Sequence, residues 1–119
     1  MANKNYVFNG FTEFLILSIL LKKDSYVYEI VKSITDFSNG LLSISQNTIY
    51  TATYKLQSEG KISEYSKLVG KKRNRIYYHI EPSGKKYLKE LFYSYKSTTK
   101  GVKNILSKLN NEGEITTDE

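Results

Sequence analysis

The stretch from Ser45 to Ile62, SQNTIYTATYKLQSEGKI, constrains the fold more than any other part of the chain. It opens with small polar residues suited to a helix N-terminus, places Ile49, Ala52 and Leu56 at helical spacing, and stops at Gly60. The spacing predicts an amphipathic helix over about 45–58. Its other face carries Gln46, Asn47, Tyr50, Thr51, Tyr54 and Lys55, all hydrogen-bonding groups with one positive charge and no acid among them. Such a face suits a phosphate-lined groove better than plain water.

After Gly60 the pattern changes period. Ile62–Lys67 and Arg75–Ile80, the second reading RIYYHI, are β-prone runs separated by LVGKKRN. They predict a hairpin whose tip holds Lys71, Lys72 and Arg73, with Arg75 just beyond. Three consecutive cations repel one another in a free hairpin, and a phosphate backbone relieves that repulsion. A polar-faced helix followed at once by a basic hairpin is the order of a winged helix, and the segments before it agree. Phe14, Leu15, Leu17, Ile19, Leu20 and Leu21 cover most of the circumference of a helix from Phe11 to about Lys22, which is expected to pack on more than one side. A second helix, with Asp24 or Ser25 as its cap, repeats Val27, Ile30, Val31 and Ile34 and ends at Ser38-Asn39-Gly40. Helix, helix, short connection and polar-faced helix is the helix-turn-helix order, in which the third helix enters the major groove.

Pro82 stands where the second strand should end, and with Ser83 as cap a last helix is expected from about Gly84 to Asn110. Leu88, Leu91, Tyr95, Thr98, Val102, Ile105 and Leu109 follow alternating steps of three and four, the seam of a coiled coil. A small winged-helix body cannot cover so long a seam alone, so a homodimer is expected. The fold class is therefore mainly α with a small β-hairpin: a winged helix-turn-helix domain with a long C-terminal dimerisation helix. Residues 1–83 form the DNA-binding domain with its N-terminal arm or helix, 84–110 the dimerisation helix, and 111–119 an acidic tail expected to be disordered.

At 119 residues the chain suits one domain with an appendage. Its formal charge is +6, but Glu112, Glu114, Asp118 and Glu119 crowd the last eight residues, so eighteen Lys and Arg against the other eight acids leave +10 on residues 1–111. That excess favours a polyanionic partner. With no Cys, disulfides, thiolate zinc sites and Cys nucleophiles are excluded, in keeping with a cytoplasmic location. The longest apolar run, FLILSILL over 14–21, is too short to span a membrane, and no membrane partner is expected. The one His, His79, lies in the RIYYHI strand opposite Tyr78 and Ile80 with no catalytic group near in sequence. Glu13, Glu29 and Glu59 sit singly on separate helices, as surface or interhelical partners rather than metal ligands. No Gly-rich phosphate loop is present. No enzyme, catalytic residue, metal site or cofactor is expected.

YVYEI at 26–30, SNG at 38–40, TIYTATYKLQSEGKI at 48–62 and RIYYHIEPSG at 75–84 together resemble the PadR family of bacterial transcriptional regulators, in particular its short members that include multidrug-responsive repressors. The resemblance spans roughly residues 10–110. It implies a winged helix, a dimer made through the C-terminal helix, and repression by operator binding. Carried over by position, Thr48, Tyr50, Thr51 and Lys55 would face double-stranded DNA, with Lys71, Lys72 and Arg73 in the wing. Thr51 stands where many relatives have Pro, Thr53 where they have an aliphatic residue, and Val27 where Gly is common. In the multidrug-responsive members a pore at the dimer interface holds planar aromatic molecules against a Trp. The matching residue is Tyr95, with Phe92, Phe14, Val7 and Thr99 around it. The leading expectation is a sequence-specific regulator, a repressor. Beside it stand a small-molecule sensor as the main role and an architectural or plasmid-maintenance DNA binder.

Overall fold

Ser45 starts the central helix as its sequence predicts. Its Oγ accepts from the Thr48 N–H at 3.2 Å, so one of the N–H groups that a helix start leaves unpaired is satisfied locally. The helix runs from Gln46 to Ser58 and ends in a Schellman turn: the Lys61 N–H reaches the Leu56 carbonyl at 2.9 Å and the Gly60 N–H that of Gln57 at 3.0 Å. Gly60 takes φ +76°, a left-handed conformation in which a side chain would be strained. The structure, a computed structural model, describes residue 8, residues 10–71 and residues 73–109.

In chain order the elements are α1 (Phe11–Lys22), α2 (Val27–Phe37), α3 (Gln46–Ser58), β1 (Ile62–Val69), β2 (Arg73–Ile80) and α4 (Pro82–Leu109). The chain is thus mainly helical with one two-stranded antiparallel hairpin, as its periodicities predict. Helix α1 is the hub. Its apolar residues fill most of the circumference because α2, α3, α4 and β2 all pack against it. Ile16, Leu17 and Leu20 meet Ile30, Ile49, Leu56 and Ile62 in one fully buried core. α2 ends with Asn39 at φ +57° and the Gly40 N–H bonded to the Thr35 carbonyl, the stop its Ser-Asn-Gly sequence predicts.

Three local expectations are corrected. Neither Asp24 nor Ser25 caps α2; Tyr26 occupies that position without a side-chain cap. Ser25 instead pairs its backbone with Tyr78, and the Asp24 carboxylate accepts from Tyr65 Oη at 2.7 Å. Helix α4 starts at Pro82, not Gly84, because the fixed φ and missing N–H of proline suit a first helical position. Ser83 therefore lies inside the helix, donating to the Gly60 carbonyl at 2.8 Å. A Cβ on Gly84 would come 2.2 Å from the Lys61 carbonyl oxygen, so only glycine lets α4 leave so close to the start of β1. Finally, the strands are longer than the β-prone runs: Val69 pairs with Arg73, so the turn that opens at Gly70 and Lys71 is shorter than expected.

The first turns of α4 complete the core through Leu88 and Leu91, while the rest of this 28-residue helix projects beyond it and stretches the molecule to 62 Å. Residues 111–119, expected to be a disordered tail, lie outside the described residues, as do most of the N-terminal arm, Val7 and Lys72.

Candidate nucleic-acid interface

Helix α3 turns Ile49, Thr53 and Leu56 inward and exposes Gln46, Asn47, Thr48, Tyr50, Thr51, Tyr54 and Lys55. All seven residues singled out on the helix therefore reach solvent on the predicted face, with Tyr54 77% exposed against 51% for Tyr50. Their hydroxyls are not equally available. Thr51 Oγ1 donates to the Asn47 carbonyl at 3.1 Å, and Ser45 Oγ donates to Thr48 Oγ1 at 2.9 Å. Thr53 is buried where an aliphatic residue would be expected, and it satisfies its hydroxyl on the Tyr50 carbonyl at 3.0 Å. Lys55 is not a free cation: its Nζ lies 3.0 Å from Glu13 Oε2 on α1, and that hydrogen bond pushes the ammonium pKa up.

The register of the hairpin sorts its residues onto two faces. Glu64, Asn74, Ile76 and Tyr78 lie with Tyr26, Val27 and Tyr28 of the α2 entry and Gln46 and Tyr50 of α3 around one groove. Helix α3 and the hairpin are thus joined by a continuous cleft. Arg75 reaches its edge, with its guanidinium 4.3 Å from the Tyr26 ring centroid. The other face stacks Tyr65 on Tyr77 at 5.7 Å, with Tyr26 edge-on to Tyr77 at 5.3 Å and Lys67 Nζ above Tyr77 at 5.0 Å. Of the expected tip, Lys71 is at the turn. Arg73 is corrected to the start of β2, exposed beside Lys71, Gly70 and Arg75 in a shallow basic hollow. Lys72 lies outside the described residues.

Sequence reasoning missed Lys67, which the register sets opposite Arg75, and Glu64, an acid inside the groove. It also missed how the wing is tied down. Asp24, ahead of α2, receives Tyr65 Oη at 2.7 Å and lies 2.8 Å from His79 Nδ1. Burial alone would raise the Asp24 pKa, but the hydrogen bonds from His79 and Tyr65 outweigh it and hold the carboxyl below its ordinary value. The single signal for this was the tyrosine richness of the hairpin. The partner, 41 and 55 residues away, leaves no trace in local pattern.

Phe14 meets Phe92 and Tyr95 where α1 crosses α4, its ring centroid 6.3 Å and 5.4 Å from theirs, and Phe8, which was not in the expected set, closes the group at 5.6 Å from Phe14 and 5.7 Å from Tyr95. The Phe8 N–H donates to Thr98 Oγ1 at 3.1 Å. Thr99 spends its hydroxyl on the Tyr95 and Lys96 carbonyls of its own helix. Within the expected coiled-coil seam, Leu88 and Leu91 are already buried inside the chain, whereas Val102, Ile105 and Leu109 are open. Among the described residues no three His, Cys, Asp or Glu side chains gather to hold a metal ion, and no helix is long and apolar enough to cross a membrane.

Comparison with known proteins agrees with this geometry. The sequence model of the transcriptional regulator PadR-like family matches residues 16–90, from the middle of α1 into α4. An uncharacterized protein of Lysinibacillus sphaericus is 34% identical over 85 residues, 71% of this chain and 78% of that protein. A transcriptional regulator from Clostridium thermocellum superposes with TM-score 0.74 at 36% identity, covering 80% of this chain and 89% of its own. PadR of Bacillus subtilis, solved in complex with operator DNA, superposes with TM-score 0.62 at 26% identity over 67% of this chain and 45% of its own.

Proposed function

The chain belongs to the PadR-like family of transcriptional regulators, which are not enzymes, and from that premise we propose that it is a homodimeric, sequence-specific DNA-binding repressor working in the cytoplasm. The observation that carries the reading is the continuity of the polar face of α3 with the basic hairpin around one cleft, an arrangement on a fold similar to that of a relative solved on its operator. In each subunit α3 lies in a major groove. Gln46, Asn47, Thr48, Tyr50, Thr51 and Tyr54 meet base edges and sugar–phosphate, Lys71, Lys72 and Arg73 meet flanking phosphates, and Arg75, stacked over Tyr26, faces the DNA from the edge of the cleft without neutralising a phosphate. Residues 1–83 act as the DNA-binding unit and 84–110 as the dimerisation helix. Val102, Ile105 and Leu109, exposed on the outer half of α4, join the two chains, with Tyr95 at the inner end of the seam.

Two-fold symmetry sets two half-sites about 34 Å apart. Footprinting on the DNA upstream of the protein's own gene tests this: two protected half-sites one helical turn apart are expected, and uniform protection along the duplex contradicts it. A second reading, in which planar aromatic molecules enter at the dimer interface, is favoured by the half-exposed group of Phe8, Phe14, Phe92 and Tyr95. Flat ligands then quench Tyr emission, and Tyr95→Ala abolishes the effect; quenching that survives the substitution removes that site from consideration.

A further inference from the structure

The carboxylate of Glu13 is set beneath the recognition helix, and among the described residues it is the one buried acid, with only 11% of its side chain exposed. Its two oxygens have different partners. Oε1 accepts from Tyr87 Oη of α4 at 2.6 Å, and Oε2 holds Lys55 Nζ of α3 at 3.0 Å. A buried carboxylate is costly unless it is hydrogen-bonded, and here each oxygen has its own partner. Burial, followed by the bond to Glu13, pushes the Tyr87 hydroxyl pKa well up, so this group donates without competing as an anion. Lys55 differs from its partner: 58% of its side chain is in solvent, so the ammonium can swing away while the carboxylate cannot.

Resting on the DNA-binding reading above, we infer that Glu13 is a positioning residue for DNA discrimination, withholding Lys55 from phosphate until the correct site is bound. On random DNA the ammonium stays with Glu13 and adds nothing to affinity. On the operator, close docking of α3 brings a phosphate near enough to take it over, while the Tyr87 hydroxyl continues to support the buried carboxylate. Glu13 thereby lowers non-specific affinity and leaves the specific complex its full set of contacts.

The signature is in salt dependence, which a purely structural role for Glu13 would not move. Each phosphate contact contributes about −0.9 to the log–log slope. With Lys71, Lys72 and Arg73 of two subunits, random duplex gives roughly −5; with Lys55 added, the operator gives roughly −7. Glu13→Gln keeps an acceptor for Tyr87 and removes the charge. Its slope on random duplex should steepen to about −7, with roughly tenfold tighter non-specific binding and a correspondingly lower specificity ratio. Lys55→Gln should leave the random slope unchanged and flatten the operator slope to about −5. The double variant should match Lys55→Gln.

Anisotropy titrations of these four proteins on upstream and random duplexes, over several salt concentrations, decide the matter. Equal random-duplex slopes for wild type and Glu13→Gln, or a Glu13→Gln effect that persists without Lys55, overturn the inference alone. Should Glu13→Gln fail to fold, Lys55→Gln decides by itself, because equal flattening on both duplexes means that Lys55 was never withheld. If wild type binds neither duplex in a salt-dependent way, the DNA-binding reading falls and the inference with it.

Discussion

The two halves of α4 carry the same apolar spacing and meet opposite fates. In the first half Leu88 and Leu91 are buried against the rest of the chain, and a Cβ on Gly10 would lie only 2.5 Å from Leu91 Cδ2. In the second half Val102, Ile105 and Leu109 continue the rhythm into solvent, at 48%, 57% and 71% exposed. An amphipathic repeat therefore specifies a helix and a buried face, but not which chain does the burying. The difference lies in reach: 28 helical residues extend about 42 Å, farther than a body built on α1 can cover.

The largest way to break this contrast is a charge in the open half. Ile105→Asp would place an unpaired carboxylate in the proposed seam, raising the dimer dissociation constant by about two orders of magnitude or more, with little loss of helix per chain. Sedimentation measures it, and a dimer that persists would move the interface elsewhere. The closed half should respond in stability instead. Leu91→Ala is expected to cost about 2–4 kcal/mol in urea unfolding, by lost burial and the cavity left behind.

The smallest effect concerns the wing anchor. Asp24 has a lowered pKa in the fold, so its contribution is complete above the unfolded value near 3.8 and disappears as pH falls through the lower folded value. Below about pH 4 the wild type should therefore lose more stability than Asp24→Asn, a difference read from thermal melts across the acid range. Parallel losses would mean that Asp24 holds nothing.

These regions also show which parts of the molecule could be read in advance. The start and stop of α3 were legible because Ser45 and Gly60 act on backbone groups within five residues of themselves. The winged order was legible because the period changes from helical to alternating at Gly60. The capping of α2 and α4 was misplaced because the Ser25 backbone is held by Tyr78 while its hydroxyl turns back to the Lys23 carbonyl, and the Ser83 hydroxyl makes a tertiary bond to the Gly60 carbonyl. Arg73 was assigned to the tip because composition alone does not set where a turn closes; pairing with Val69 does. Lys55 was visible as a cation on the right face. That an acid 42 residues earlier holds it was not, since such a pair exists only once α1 and α3 are packed.

Salt dependence of operator binding tests the DNA-binding account most directly, comparing wild type with a variant in which Lys71, Lys72 and Arg73 are all replaced by Gln. The account predicts a log–log slope near −7 for wild type and about −2 for the variant, as six of eight phosphate contacts are lost. An unchanged slope would show that the hairpin does not touch DNA and would contradict the winged-helix mode of binding.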